Sequence, residues 1–227
     1  MVDFLESYLS VPSSHIRVLK GSEATRQNIL NAFQQHLTAN PEIKDGDPMV
    51  FFFAGHGQHT PAPKGWTTDD GMVESICPWD QTLVDEKGRN PVYGIPDRTV
   101  WALFHELAHL KGNNITAILD CCHSGSISRV CWPQAHLSLL LLFYLTFYTP
   151  LQEQGAPRRL TNPVPIPFEQ DEDIWGKFFP RDFKAHIPSG FRFGNMSSHV
   201  LLAACRQVSE LTLSSVVAIS RQRLRMN

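Results

Sequence analysis

Two short, unbroken apolar runs limit what this chain can fold into. Met49–Phe53 reads MVFFF and Ile115–Leu119 reads ITAIL, with no regular alternation of polar residues in either. A strand with one face in water alternates. A continuous run of this length suits a strand buried on both faces, as in a parallel sheet covered by helices. His15–Leu19 (HIRVL) is a further short strand candidate, and Ser198–Cys205 (SHVLLAAC) a third buried one. Between them lie helical patterns. In SEATRQNILNAFQQHLTANP, Ser22 or Thr25 can cap, Ile29, Leu30, Phe33 and Leu37 form a stripe, and Pro41 stops the helix. Asp97 is expected to cap RTVWALFHELAHLKG, with Val100, Leu103, Phe104, Leu107 and Leu110 on one face and Gly112 at its end. Met1–Leu9 puts Val2, Leu5 and Leu9 on one side of a short helix. Strand, helix and strand at these lengths mean right-handed crossovers and an α/β fold with a mainly parallel sheet. Residues 55–96, rich in Gly, Pro and Asp, read as a long loop with room for a hairpin.

The 227 residues, 42% hydrophobic and 19% charged, fit one globular domain. A net charge of −2 gives no reason to expect a nucleic acid or an anionic membrane as partner. Five cysteines, two of them adjacent at Cys121 and Cys122, do not form a disulfide framework. Met1 leads straight into a charged amphipathic stretch and no signal peptide is read there. The expected compartment is therefore reducing: cytoplasm, or nucleus. Two stretches fit badly. AHLSLLLLFYLTFY is apolar for about a dozen residues, short of the ~20 that span a bilayer. From Val208 the chain reads as unpatterned, ending in a basic RQRLR.

Both apolar runs end in reactive residues. FFFAGHGQ sets His56 at one strand end, and AILDCCHSG sets Cys122 at the other. Ligands of parallel α/β sheets bind beyond the carboxyl ends of the strands, and neighbouring strands lie about 4.8 Å apart. His56 and Cys122 can therefore face one cleft. A thiol, with a free pKa near about 8.5, becomes a nucleophile once it loses its proton, and an imidazole can take that proton and return it to a leaving amine. The HSGS that follows Cys122 reads as a helix start or tight turn whose N–H groups favour a thiolate and then an oxyanion. The N–H of Gly57 is the second oxyanion donor beside that of Cys122, since a residue without Cβ lets the backbone come close to a substrate carbonyl. Cys121, one residue earlier on the strand, points the other way.

These two segments together resemble the signatures of the caspase-like fold in its metacaspase branch, aromatic-x-G-H-G and D-x-C-H-S-G. EATRQNIL, GIPDRT and HVLLAACRQ resemble caspase-domain proteins of fungal type. The Q-A-C-x-G of animal caspases is absent. The resemblance implies a three-layer sandwich around a mainly parallel sheet, here incomplete at both ends. It implies a cysteine endopeptidase with His56 as general base and acid and Cys122 as nucleophile, acting on protein or peptide substrates in an apoptosis-like process. Asp120 would hold a basic side chain, so that cleavage follows Arg or Lys. No cofactor is required. Calcium is implied as an activator, and Asp69, Asp70 and Glu74 could offer oxygen ligands, or Asp69 and Asp70 could be an ordinary solvated loop. No membrane partner is expected, and no oligomeric state is fixed.

The chain is read as a single domain, family-like over 1–129 and 164–207, with an apolar insert at 130–152 and an atypical tail at 208–227. The insert reads as translated intron: Val130-Cys131 can be encoded by GTATGT and Leu151-Gln152 can end in CAG, while Val208-Ser209 can be encoded by GTAAGT. The family pattern opens with a strand before the first helix, and this chain opens at that helix. Such departures motivate a second reading, a non-catalytic caspase-like module that regulates or binds partners. A third comes from His105-Glu106-Leu107-Ala108-His109, which matches the HExxH of zinc peptidases in letters, though no third ligand motif follows. A mixed site of His56, His59, Cys121, Cys122 and His123 lacks the paired spacing of a zinc site. Cys122 as a plain buried thiol is the remaining bland reading.

Overall fold

MVFFF becomes the centre of a sheet. In the computed structural model, which describes residues 1–68, 70–81, 91–121, 166–178, 186–187, 199–204 and 215–220, strand β2 (Met49–Pro61) carries the run. Along its first half every second residue is buried, Met49, Phe51 and Phe53 among them. Helix α2 (Arg26–Ala32), continued by a π-helical turn (Phe33–Thr38), and helix α3 (Asp97–Lys111) cover that face. Phe33, Phe51 and Phe104 meet there with ring centroids 5.3–5.8 Å apart, two of the three pairs edge-on, a geometry the ring quadrupole favours. The other face carries Val50 and Phe52 against Leu5 of α1 (Val2–Ser7). Helices on both faces make three layers.

The sheet is mixed. Strand β6 (Ile115–Cys121) runs parallel to β2, and β8 (Val200–Ala204) runs parallel to β6. On the other side β2 pairs antiparallel with β9 (Ser215–Ser220), which pairs antiparallel with β1 (Ile16–Lys20). The first half of β2 thus lies between β6 and β9. Its second half, His56–Pro61, pairs antiparallel with β4 (Met72–Cys77), and β4 pairs with β5 (Ile95–Pro96). A separate two-residue pairing joins β3 (Thr67–Thr68) to β7 (His186–Ile187).

Several boundaries differ from the sequence reading. Residues 55–96 are not simply a loop: β2 runs on to Pro61 and forms a hairpin with β4, because the cross-strand ladder keeps satisfying the backbone after the parallel neighbour has ended. Strand β6 does not break at Asp120 but includes it and Cys121. Thr25, not Ser22, caps α2, its side chain accepting from the Asn28 N–H at 3.3 Å. Asp97 is the first residue of α3 and not its cap; Pro96 holds that position. Leu110 lies outside the apolar face of α3, 54% exposed, because Leu107 already ends the stripe against the sheet. Gly112 ends α3 at φ +84°, where a Cβ would meet the Asp45 carboxylate and the Gly46 N–H within 3 Å.

A second core sits under the hairpin. Trp66 and Trp175, the latter on α4 (Glu172–Trp175), meet edge-on at 6.0 Å. The Arg98 guanidinium lies over both rings, 4.0 and 4.8 Å from their centroids. Burial lowers its pKa to about 10, well above neutrality, so the cation–π contact is present at neutral pH. Asp171, in left-handed conformation at φ +60°, accepts from Arg26 through both oxygens and from the Thr99 hydroxyl at 2.7 Å. One carboxylate thus ties the 166–178 segment to the starts of α2 and α3. The apolar insert 130–152 lies outside the described residues. Among those described, no helix is long and apolar enough to cross a membrane.

Candidate active site

His56 stands where β2 changes partners. Gly55 is the last residue paired with β6, opposite Cys121, and His56 is the first paired with β4, opposite Cys77. β2 thus exchanges β6 for β4 between Gly55 and His56. Side chains directly opposite one another share a face, and successive residues alternate. Asp120, paired with Ala54, therefore lies on the His56 side of the sheet, half-buried. Cys121 lies on the other side, 2% exposed and packed into the main core with Leu119 and Ala117. Cys122 follows directly and lies outside the described residues, as do His123 and Asp69.

Burial lowers the pKa of the half-buried His56 below the ordinary histidine value of 6.5. Near neutral pH the ring is uncharged and can accept a proton. Gly57 sits opposite Ile76 in the β2–β4 ladder.

The wall beyond His56 is polar and buried, which the sequence reading missed. Gln58 lies opposite Ser75, on the face that His56 and Cys77 share. The Gln81 side-chain amide donates to the Gln58 carbonyl oxygen, and Gln58, Ser75 and Gln81 are all under 9% exposed. The short alternation GHGQ was the available signal, hidden inside a stretch whose Gly and Pro content marked it as loop.

Neither metal reading finds a cage among the described residues, where no group of three His, Cys, Asp or Glu side chains could hold an ion. Asp70 uses one oxygen to accept from the Met72 N–H and places the other 3.4 Å from His59 Nε2. Glu74 is 1% exposed inside β4. On α3, the His105 ring packs on Trp101 and Phe178 at 4.9 and 4.8 Å, and Glu106 accepts from Lys177 at 2.9 Å. The HExxH letters here serve packing and an ion pair.

A family model described as metacaspase, peptidase C14 domain, matches residues 6–130. The chain belongs to the metacaspase family. That span runs from α1 through the DCCHSG segment and so includes both His56 and Cys122. Among curated metacaspases, Metacaspase-4 of Arabidopsis thaliana is 34% identical over 83 residues, covering 36% of this chain and 16% of that protein. Metacaspase-1 of Coccidioides immitis is 33% identical over 105 residues, 46% of this chain and 20% of the relative. Metacaspase-1A of Aspergillus oryzae is 33% identical over the same length, 46% and 22%. This metacaspase chain thus spans about a fifth of the length of the curated relatives it matches. No solved structure matches it. Membership supports a cysteine peptidase, and the α/β sandwich agrees with a caspase-like fold.

Proposed function

We propose that this metacaspase domain is a cysteine endopeptidase that cleaves protein or peptide chains after Arg or Lys, with His56 and Cys122 as its dyad. The observation that carries the reading is the position of His56 at the partner exchange of β2, one residue past the Gly55–Cys121 pair. Cys122 follows Cys121 in the sequence, and Cys121 lies on the face of β6 opposite to that of Asp120 and His56. The neutral imidazole takes the thiol proton, and the thiolate attacks the scissile carbonyl carbon. The N–H groups of Gly57 and Cys122 receive the oxyanion. The imidazolium then protonates the leaving amine as the C–N bond breaks, leaving an acyl-enzyme that water hydrolyses with His56 as base. Asp120, on the same side of the sheet, supplies the negative charge for a basic residue before the scissile bond. A reducing compartment, cytoplasm or nucleus, suits a mechanism that needs a free thiol.

The test is cleavage of short reporter peptides ending in Arg, Lys or Asp, with and without calcium, by this chain and its Cys122→Ala variant. Cleavage after Arg or Lys, lost by at least about a thousandfold in the variant, is expected. Because the base must be neutral and its pKa lies below 6.5, the acid limb of the rate should also fall below pH 6.5. A folded chain that cleaves none of the peptides would leave the second reading, a non-catalytic module. That reading is favoured by the family match ending at residue 130.

A further inference from the structure

A polar cavity of about 360 Å³ opens between the outer side of α2 with its π-helical turn and strand β1. Its walls are Arg17, Asn28, Asn31, Ala32, Gln35 and His36. On the helix these follow an i, i+3, i+4, i+7, i+8 spacing, one continuous face. The opposite face, with Ile29, Leu30, Phe33 and Leu37, is buried in the core. Apart from Ala32, which belongs to the core, the cavity is lined by polar side chains of the outer face.

Its chemistry is one-sided. Two walls are basic, three carry amides, and no carboxylate lines it. Arg17 is exposed and, among the described residues, has no ion-pair partner. Asn31 accepts from Gln27 through Oδ1, and both Asn31 and Gln35 are exposed. His36 Nε2 lies 3.1 Å from the His15 carbonyl oxygen. A carbonyl can only accept, so Nε2 carries the proton. The pKa of His36 is held below 6.5 by burial first, countered by that hydrogen bond, and lowered further by the charges of Arg17 and His15. Arg17 is thus the fixed charge of the lining, which carries no carboxylate against it. The helix also widens here, from α to π at Phe33, and such π turns recur at functional sites.

We propose that this cavity binds a small anion, a phosphoryl or carboxylate group on a polar body, through the Arg17 guanidinium and the Asn31 and Gln35 amides. Arg matches both oxyanions with a forked pair of donors, and the volume falls within the roughly 300–1,000 Å³ of small-molecule sites. The cavity is built from α2, its π-helical turn and β1, and uses none of the residues around His56.

The experiment is a titration of the isotopically labelled chain with sodium phosphate and, separately, sodium citrate at constant ionic strength, with sodium chloride as control. The readout is the side-chain amide signals of Asn28, Asn31 and Gln35. Saturable shifts with one or both anions are expected, weakened about tenfold in Arg17→Gln, the effect of losing one charge-assisted contact. Saturation by phosphate alone assigns a phosphoryl ligand, and by citrate alone a carboxylate. Shifts that chloride reproduces, that fail to saturate with either anion, or that survive Arg17→Gln overturn the proposal. Gln35→Leu, on the exposed side of the helix, repeats the test should the strand substitution disturb folding.

Discussion

Asp97 and Glu74 are both buried, and the first is held uncharged. Burial pushes Asp97 up to about 8, with the Glu74 charge adding to the shift and N–H groups of Arg98 and Glu74 opposing it. A carboxyl whose folded pKa exceeds its unfolded value of 3.8 favours the folded state fully below that value, and the contribution is lost as pH rises through about 8. Asp97→Asn keeps the carbonyl that accepts from the Arg98 N–H at 2.6 Å and cannot ionise. It should flatten Tm between pH 4 and 8 and raise it at pH 8 by about 2–4 °C, the shift that ~1 kcal/mol gives in a chain of this size. His199 is the opposite case. It is 7% exposed and stacked on Phe104 at 4.5 Å, and burial lowers its pKa to about 4. Its contribution is present above the ordinary value of 6.5 and is lost as pH falls from there towards 4. In His199→Phe, which keeps a ring on Phe104, the fall of Tm between pH 7 and 4.5 should be shallower; an unchanged slope would remove His199 as its source.

At the scale of elements, the Asp171 carboxylate carries more than its own segment. Its side chain is 6% exposed and that of Arg26 14%. Asp171→Ala leaves the Arg26 guanidinium and the Thr99 hydroxyl without their acceptor. Breaking a buried pair from one side costs about 3–5 kcal/mol, and the remaining exposure of Arg26 puts this case near the lower figure. Urea unfolding checks it: a midpoint within error of wild type would show that the clasp contributes nothing. The elements themselves were largely legible. The helices at α2 and α3 follow from stripes whose period is a property of the helix, and β6 and the first half of β2 follow from apolar runs without the regular polar alternation of a half-solvated strand. The β2–β4 hairpin was legible only as room for one, its strands and register hidden because Gly55 and Gly57 carry the usual marks of a loop while the ladder that makes them strand lies across the sheet.

At the scale of the whole molecule, the sheet depends on its last strand. β1 and β2 both run antiparallel to β9, so they are parallel to each other with one strand's width between them. Without β9 two inner ladders would face an empty slot, and buried N–H and C=O groups without partners are costly. A chain ending at Gln207 should lose its cooperative thermal transition or aggregate, as circular dichroism and size-exclusion chromatography would show. A sharp transition at the full-length Tm would mean the slot needs no strand from residues 208–227.

The sequence by itself determined the α/β class, the helix that covers MVFFF, and the apolar runs of β2 and β6 that precede the GHG and DCCHSG segments. Each depends on local periodicity or on residues a few positions apart, which the chain carries wherever it goes. Only the tertiary structure decided that Ser215–Ser220, whose Val216, Val217 and Ile219 favour strand in any context, lies between β1 and β2. The same holds for His56 facing Cys77, Asp97 losing its charge beside Glu74, and Arg98 lying over two tryptophans. Those outcomes depend on which distant segments exclude water from one another, and burial of that kind is a property of the assembled chain.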